Sequence, residues 1–321
     1  MAVLVTGGAG YIGSHAARML RREGYEVLIY DNLSTGYEFL AQGFELIRGD
    51  IGDSACLLPV LHRVDAVMHF AAHAYVGESV QNPRKYFHNN VESALALLNA
   101  CMDAGVTRLV FSSTCAVYGI PAQVPIVEDS PRLPVNPYGV TKLLFERALE
   151  AYSQAYGLRY MSLRYFNAAG ADESGETGEC HNPETHLIPL ALMAVAGSGP
   201  ELQIFGNDYP TADGTCIRDY IHVNDLAAAH VKALQYLADG GDSTVANLGT
   251  GHGHSVLQVL ATIKEVTGKA APYRIVSRRF GDPPVLVADS KYAEKLLKWR
   301  ATRSLTDIIA SAWRWSRRAV R

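Results

Sequence analysis

The stretch VLVTGGAGYIGSH, residues 3–15, joins an apolar run typical of a buried strand to a run with helical spacing. Residues 8–13 of this stretch read GAGYIG and satisfy the pattern G-x-G-x-x-G. Glycines at these positions permit a tight turn and let backbone N–H groups approach a pyrophosphate, and the start of the following helix favours negative charge. The stretch therefore predicts a strand, a turn and a helix that bind the phosphates of a dinucleotide.

An acidic residue follows the second predicted strand. Asp31 stands 18 residues after Gly13, near the spacing at which a carboxylate accepts hydrogen bonds from ribose hydroxyls. A carboxylate at this position would repel a 2′-phosphate, so NAD is favoured over NADP as the cofactor. The alternative interpretation is that Asp31 only opens the loop that begins at Asn32.

Farther along the chain, short apolar runs alternate with helical patterns up to residue 166. The predicted strands are 2–6, 26–30, 44–48, 66–70, 108–112 and 159–165, and the predicted helices are 13–23, 54–62, 83–104 and 137–156. Strands separated by helices, several of them almost entirely apolar, predict a parallel sheet that is covered on both faces. We expect an α/β fold in which a doubly wound parallel sheet (Rossmann) forms an NAD-binding domain over residues 1–166.

The pattern loosens after residue 166, where glycines, prolines and acidic residues cluster. We predict short elements at 187–196, 203–205 and 217–223, and then a helix from Asp225 that is capped by Asn224 or Asp225. These elements predict a smaller mixed α/β C-terminal substrate domain over residues 167–321. Part of 217–250 is expected to return to the Rossmann domain.

Composition limits the class of protein. The 321 residues are 48% hydrophobic and 19% charged, which predicts a sizeable core. The formal net charge of −3 disfavours a protein that binds nucleic acid in general. Five cysteines, an odd number without a CxxC pair, favour reduced thiols in the cytosol. Because no apolar run approaches the roughly 18 residues that a membrane span needs, we expect a soluble cytoplasmic protein with no membrane contact.

The stretch NPYGVTK, residues 136–142, places a tyrosine and a lysine on one helix face. Asn136 suits the cap and Pro137 the first helical position, so Tyr138 falls in the first turn, where the helix dipole favours an anion. With Lys142 and a positive nicotinamide ring nearby, the pKa of Tyr138 would move from its ordinary value of about 10 toward neutrality, as a general base requires. The alternative is an ordinary helix start, and the upstream glycine loop favours the base.

Nine stretches together resemble the extended short-chain dehydrogenase/reductase family and, within it, the UDP-glucose (UDP-galactose) 4-epimerases. They are VLVTGGAGYIGSH, YDNLSTG, HFAAHAYVGES, FSSTCAVYG, NPYGVTK, LRYFNAAGA, IFGNDYPTADGTCIRDYIHVNDLA, NLGTGHGHSV and RRFGDPP. The resemblance covers essentially the whole chain. It implies a homodimer, formed through the helices at 83–104 and 137–156, with a UDP-sugar as substrate and tightly bound NAD as cofactor.

The resemblance also implies roles for individual residues. Tyr138 would be the base, Lys142 its pKa partner and a ribose ligand, and Thr114 the hydroxyl relay. NAD would contact Tyr138, Lys142, Gly7, Gly10, Tyr11, Ile12, Gly13, Asp31, Asn32, Asp50, Ile51, Phe70, Ala71, Ala72, Asn89 and Phe166. The UDP-sugar would contact Thr114, Tyr138, Asn167, Leu187, Phe205, Arg218, Arg279, Asp282 and Leu286. The two arginines in this set suit a diphosphate.

The implied activity is reversible epimerisation at carbon 4 of UDP-glucose and UDP-galactose. Tyr138 would take the proton of the sugar 4-hydroxyl while hydride leaves carbon 4 for NAD, and the 4-keto sugar would turn over before hydride returns to its other face. Leu286 stands where hexose-restricted relatives carry a bulky tyrosine. Some activity on UDP-GlcNAc and UDP-GalNAc is therefore also expected, and a pentose preference stays open.

Other functions share parts of this pattern. Another NAD-dependent sugar-nucleotide epimerase, a dehydratase or a decarboxylase would have the same fold. A dehydratase needs an acid–base couple where this chain reads Thr114-Cys115-Ala116, which contains no carboxylate. A non-catalytic NAD-sensing regulator can keep the glycine loop, but such proteins often lose the tyrosine or lysine that this chain retains.

Two clusters contain residue types that bind metals. The first is Cys180, His181, Glu184 and His186, and the second is His252 with His254. Neither has a recognised ligand spacing. We therefore expect no metal site and interpret both clusters as polar loop residues.

Overall fold

The predicted alternation of strands and helices is present in the structure, a computed structural model that describes residues 1–279 and 281–318. Within these residues the strands are β1 Ala2–Thr6, β2 Glu26–Asp31, β3 Glu45–Arg48, β4 Ala66–His69, β5 Arg108–Ser112, β6 Arg159–Tyr165, β7 Asn167–Ala169, β8 Leu202–Phe205, β9 Ile217–His222, β10 Thr244–Leu248, β11 Gly253–Ser255, β12 Tyr273–Val276 and β13 Val285–Leu286. The α-helices are α1 Tyr11–Arg22, α2 Ser54–Leu61, α3 Val76–Gln81, α4 Pro83–Phe87, α5 Ala94–Asp103, α6 Pro137–Tyr156, α7 Leu187–Ala196, α8 Val223–Ala238, α9 Val256–Thr267, α10 Lys291–Leu297 and α11 Leu305–Arg318. Phe280, which belongs to the stretch RRFGDPP, and the predicted domain end at residue 321 lie outside the described residues.

A seven-stranded sheet forms the centre of the molecule, with the strand order β10-β6-β5-β4-β1-β2-β3. All six pairings between neighbouring strands are parallel. The strands run outward in both directions from β1, which is the doubly wound arrangement that the alternation predicted. The prediction of an α/β Rossmann fold is confirmed.

The sheet is covered on both faces. One face packs against α1, α8 and α10 through a core that includes Val5, Leu20 and Leu234. The other face packs against α2, α5 and α6 through a core that includes Leu57 and Phe145. Burial on both faces explains why these strands are almost continuously apolar in sequence.

The C-terminal part contributes a smaller set of elements. A four-stranded sheet joins β11, β9 and β13, with β7 also paired to β9, and a second small sheet pairs β12 with β8. Helices α7, α9 and α11 pack around a separate core that includes Leu192, Ile204 and Ile308. Strand β10 leaves this region and becomes the edge strand of the central sheet beside β6.

Two predicted elements differ from the structure. The helix predicted over 83–104 is interrupted by a π-helical turn, His88–Ser93. The Asn90 side chain accepts a hydrogen bond from His73 N and donates one to His73 O, both at 2.9 Å, so the wide turn holds the loop that follows β4. Such turns are common at functional sites, and this one places Asn89 in the wall of the main cavity.

The start of α8 is the second difference. The helix begins at Val223, and the cap is His222, whose Nδ1 accepts from Asn224 N at 3.1 Å. The prediction that Asn224 or Asp225 caps this helix is therefore wrong. Asp225 lies in the first turn instead, where its carboxylate accepts hydrogen bonds from the backbone N–H groups of Thr302 and Arg303. No helix in the described part of the chain is long and apolar enough to cross a membrane.

Candidate active site

A cavity of about 1400 Å³ lies at the carboxyl ends of β1, β2, β4, β5 and β6. Its opposite wall comes from β9, β13 and the residues that precede α7. Ligands in doubly wound folds bind at this edge of the sheet. The cavity is therefore the candidate active site.

The glycine loop forms one end of the cavity. Gly7 has φ +73°, and a Cβ at this position would lie 2.5 Å from the backbone nitrogen of Ala71. A Cβ on Gly13 would lie 2.2 Å from Gly7 O, so the first turn of α1 can approach β1 only because Gly13 has no side chain. Gly10 precedes α1 and offers no side chain to cap it, and the first turn contains no acidic residue. The helix N-terminus is thus free to accept an anion, which fits the pyrophosphate of a dinucleotide.

Asp31 lies at the end of β2 beside the glycine loop. One carboxylate oxygen accepts from Ala9 N at 2.9 Å, and the other accepts from Leu33 N at 2.8 Å. Burial raises the pKa of Asp31, whereas these two backbone hydrogen bonds favour the carboxylate. Each oxygen keeps a lone pair for a ribose hydroxyl.

The Tyr138 phenol is positioned by the start of α6. Asn136 caps the helix by accepting from Gly139 N at 2.9 Å, and Pro137 occupies the first turn. These two residues place Tyr138 in the cavity wall with 7% of its surface exposed. Thr114, which follows β5 and is equally buried, forms a hydrogen bond with the Tyr138 phenol that favours the phenolate.

Lys142 is buried one turn farther along α6. Its Nζ donates to Ser112 O at 2.9 Å and lies 5.9 Å from the centre of the Tyr138 ring. Burial lowers the pKa of Lys142 to about 7, an effect that the charge of Glu146 opposes. Near neutral pH, this lysine is close to the midpoint between its charged and neutral forms.

The side chains of the chain do not by themselves lower the pKa of Tyr138 toward neutrality. The expectation of a lowered pKa also includes the positive charge of the nicotinamide ring, and for the protein with bound NAD it stays a prediction. Burial raises this pKa well above its ordinary value, Tyr165 raises it further, and only the Thr114 hydrogen bond acts in the opposite direction. The cause is desolvation, which penalises a buried phenolate. Lys142 does not offset this penalty, because its own pKa of about 7 leaves it neutral at the high pH where such a phenol would ionise.

A buried ion pair fixes the rotation of α6. Arg164 on β6 is fully buried and donates two hydrogen bonds to the Glu146 carboxylate, at 2.9 Å and 2.7 Å. Ser113 donates to the same carboxylate at 2.6 Å, and Tyr118 accepts from Arg164 at 2.9 Å. Glu146 is one turn beyond Lys142, so this network orients the face of α6 that carries the tyrosine and the lysine.

Two arginines lie at the other end of the cavity. Arg218 on β9 is 8% exposed and forms an ion pair with Asp282. Arg279 places its guanidinium 3.9 Å from the centre of the Phe205 ring. Strand β13 aligns Leu286 with Arg218, so the apolar side chain lines the cavity next to this arginine.

The structure brings nearly all the predicted site residues together. Of these residues, every one of which is described, only Asp50 and Phe205 lie outside the cavity wall. Asp50 accepts from Asn32 Nδ2 at 2.8 Å and so supports Asn32 from behind, while Phe205 supports Arg279. Each of the two therefore contacts a residue of the cavity wall and does not line the cavity itself.

Sequence analysis missed other residues of the cavity wall. Tyr165 accepts from Ser112 Oγ at 3.0 Å and faces Tyr138. Its position at the end of β6, directly before Phe166, is a signal that could have identified it. Glu179, His181 and His186 also line the cavity.

Comparisons with known proteins agree with this geometry. Residues 3–249 match the family model described as "NAD dependent epimerase/dehydratase family". The chain belongs to this family. The resemblance that the nine sequence stretches indicated is confirmed.

Individual members of the epimerase/dehydratase family are similar over almost their entire length. A UDP-glucose 4-epimerase of Rhizobium leguminosarum bv. trifolii is 50% identical over 315 residues, which cover 98% of this chain and 96% of the relative. The crystal structure of UDP-glucose 4-epimerase from Brucella ovis in complex with NAD is 49% identical, with a TM-score of 0.95 over 98% of this chain and 97% of that one. A UDP-glucose-4-epimerase from Stenotrophomonas maltophila, with bound NAD and formylated UDP-arabinopyranose, is 43% identical, with a TM-score of 0.96 over 100% and 99% of the two chains.

Proposed function

We propose that this protein is an NAD-dependent isomerase that reversibly epimerises carbon 4 of UDP-glucose and UDP-galactose. The observation that carries the proposal is the position of Tyr138 and Thr114 in one cavity between a dinucleotide-type glycine loop and a pair of arginines. The membership of the epimerase/dehydratase family and the high identity to UDP-glucose 4-epimerases support it.

The glycine loop, the open N-terminus of α1 and Asp31 are the residues that would hold NAD. When bound, NAD supplies reversible hydride-transfer chemistry at the sugar. Gly10, where an added Cβ would meet only Gly7 O, leaves the start of α1 open to close approach of a pyrophosphate, and the Asp31 carboxylate fits an unphosphorylated ribose. Lys142 Nζ, which has one donor on Ser112 O, has further donors for a second ribose.

Tyr138 is the group that would remove and return the proton of the 4-hydroxyl. Thr114 bonds the phenol and can pass a proton between it and the sugar oxygen. Because the chain's own groups raise the pKa of Tyr138, a phenolate needs positive charge from outside the chain, and oxidised NAD carries such a charge. Proton removal would then depend on the cofactor being present and oxidised.

Arg218 and Arg279 would hold the diphosphate of the UDP-sugar. Guanidinium groups bind phosphate oxygens with two parallel donors, and such contacts can hold the nucleotide while the sugar turns. In the structure Arg218 is paired with Asp282, so the diphosphate would share the guanidinium with this carboxylate. Binding energy from the nucleotide would retain the keto intermediate during its rotation.

The decisive experiment tests turnover without added cofactor. Purified protein is incubated with UDP-galactose alone, and UDP-glucose is measured by chromatography. We expect conversion to an equilibrium mixture, with NAD recovered from the denatured protein at about one equivalent. Absence of conversion by protein that contains NAD would contradict the proposal.

Leu286 is proposed to set the sugar scope. Its side chain lines the cavity and is smaller than a tyrosine, which leaves space for an N-acetyl group. We expect measurable turnover of UDP-GlcNAc, and Leu286→Tyr should reduce it at least about 10-fold relative to UDP-galactose. An unchanged ratio between the two sugars would show that another residue sets the scope.

A dehydratase is the nearest alternative, and the cavity gives it little support. The described carboxylates that line the cavity are Asp31, Glu78, Glu179 and Asp282. Asp31 bonds the glycine loop, Glu78 bonds Lys85, and Asp282 bonds Arg218. Residues 114–116, next to Tyr138, contain no carboxylate that could act in elimination of water.

A further inference from the structure

Four side chains with metal-binding atoms converge before α7. None of them is Tyr138 or Thr114, which carry the proposed chemistry. They are Glu179, His181, Glu184 and His186, and one donor atom from each lies within 4.8 Å of every other. The sequence suggested a cluster that contained Cys180, but the side chains that converge include Glu179 and not Cys180, which interacts with Tyr37. The candidate ligand set therefore contains the Glu179 carboxylate in place of the Cys180 thiol.

The His181 imidazole is the best-placed donor of the four. Its Nδ1 is buried and has no hydrogen-bond partner within the described residues, although it lies 3.2 Å from Glu179 Oε1 and 3.7 Å from Glu184 Oε2. The nitrogen faces the space between the two carboxylates and makes no well-directed bond to either. The edges of Tyr11, Tyr75 and His186 surround the ring at centroid distances of 6.0, 5.8 and 5.1 Å, so its orientation is fixed.

The other donors are also held in place. The Glu179 side chain is 6% exposed and the Glu184 side chain 10% exposed. His186 Nδ1 bonds Glu179 and lies 3.9 Å from Glu184 Oε1. A tetrahedral ion with metal–ligand distances of about 2.0–2.1 Å separates its ligand atoms by about 3.3 Å. The separation of His181 Nδ1 from Glu179 matches this value at 3.2 Å, the separations of His181 and His186 from Glu184 are longer at 3.7 and 3.9 Å, and His186 lies closer to Glu179.

We propose that Glu179, His181, Glu184 and His186 bind one divalent transition-metal ion of the zinc class. Two imidazole nitrogens and two carboxylate oxygens are a ligand set that zinc accepts, and it excludes the all-oxygen coordination that magnesium and calcium prefer. The ion joins the segment that follows β7 to the start of α7. Because Tyr11, at the start of α1, packs on His181, a bound ion would also hold this segment against the glycine loop.

The alternative to a bound metal ion is protonation of the two histidines. The Glu179 and Glu184 carboxylates outweigh the effect of burial and raise the pKa of His181 to about 9. Glu179 also raises the pKa of His186, so protonated histidines and the two carboxylates would form an ion-pair cluster in the absence of a metal. A metal ion displaces these protons when it binds.

The test measures metal binding rather than catalysis, so it is independent of the proposed function. Full-length protein without an affinity tag is treated with chelator, and Zn²⁺ is then added during calorimetry. Co²⁺ is added in a parallel experiment monitored by visible absorption. We expect one equivalent of Zn²⁺ per chain and the absorption bands of tetrahedral Co²⁺. Absence of stoichiometric Zn²⁺ binding, or octahedral Co²⁺ bands, would overturn the proposal.

Variants connect the binding to these residues. Glu179→Gln and His181→Gln should each weaken Zn²⁺ binding at least about 100-fold, and the more exposed His186→Gln covers the case in which the buried variants do not fold. The control is His252→Gln combined with His254→Gln, which removes the other histidine pair and should leave the affinity unchanged. The site would be refuted if His186→Gln bound Zn²⁺ as tightly as the wild type and the His252/His254 double variant did not. That result would assign the ion to His252 and His254.

Discussion

At Tyr138, the environment of a single phenol determines when chemistry can occur. Burial and Tyr165 raise its pKa, and the Thr114 hydrogen bond is the local contact that favours the anion. A tyrosine in this state is a poor base by itself. It becomes a useful one when positive charge enters the cavity, so proton transfer is linked to cofactor occupancy.

The first prediction concerns this phenol. Tyr138→Phe should lower the turnover of UDP-galactose by about 10²–10⁴-fold, the usual contribution of a general base. The fold should be retained, because the ring remains and only a hydroxyl in a polar cavity is lost. Steady-state assays and circular dichroism measure the two effects. Tyr160→Phe removes a hydroxyl from a buried tyrosine on β6 and is the matched control, and equal rates for both variants would refute the role of Tyr138.

The second prediction concerns the buried lysine and follows from its lowered pKa. In the unfolded chain the pKa of Lys142 is about 10.4. In the folded protein burial lowers this pKa to about 7. Between these values the unfolded chain binds the additional proton, so this group makes the free energy of unfolding increase with pH. Its destabilising effect is therefore complete below pH 7 and absent above about pH 10.

Replacement of the lysine tests this sign directly. Lys142→Met, in protein freed of nucleotide, should be more stable than the wild type below pH 7, and the difference should decrease as pH rises toward 10. Urea unfolding at a series of pH values measures it. A difference that is constant across this range, or that increases with pH, would contradict the assignment.

At the scale of the element, the glycine loop and α6 differ in how far sequence could predict them. The loop was predictable because its pattern reports a local steric requirement, seen in the 2.2 Å approach of a Gly13 Cβ to Gly7 O. Helix α6 was predictable in its bounds, because Asn136 and Pro137 mark its start. Its rotation was not, since this depends on Arg164, a residue on another element.

The third prediction applies to the turn between β1 and α1. Gly13→Ala should destabilise the protein by about 1–3 kcal/mol, because the added Cβ overlaps backbone that cannot move without separating strand and helix. It should also reduce the NAD content of the purified protein. Gly77→Ala in α3 is the stability control, because its Cβ would meet nothing within 4 Å. Thermal melts and nucleotide release measure both quantities, and equal stabilities of the two variants would count against a steric role.

At the scale of the molecule, the sequence predicted the order of layers but not which distant residues meet. Period and composition reveal a parallel sheet, whereas most of the cavity residues were predicted from the family resemblance. Of the four-residue cluster before α7, sequence identified His181, Glu184 and His186 but not Glu179, because the convergence of the four depends on tertiary packing, which includes the contacts of His181 with Tyr11 and Tyr75. The division of the predicted helix at 83–104 was missed for a similar reason, since Asn90 bonds a loop that is distant in sequence.

The fourth prediction concerns assembly. We propose a homodimer formed through α4–α6, where Phe87 is 39% exposed and Leu144 43% exposed on neighbouring helices. Light scattering should give about twice the chain mass of 34.9 kDa. Phe87→Glu combined with Leu144→Glu should give a folded monomer, because charges would be buried at the interface. Ile275→Glu, at a somewhat more exposed apolar site on β12, is the control, and a dimer that survives the double change would place the interface elsewhere.

The late arrival of β10 has a consequence for synthesis on the ribosome. Strand β6 ends at Tyr165, but its partner is complete only at Leu248, 83 residues later. At about 5–20 residues per second, translation of this interval takes roughly 4–17 s. During that time the nascent sheet has an unpaired edge, and α8 has not yet covered one apolar face. Exposed edges of this kind pair with other chains, so the speed of ribosomes through the second half of the message sets how long the first half is at risk of aggregation.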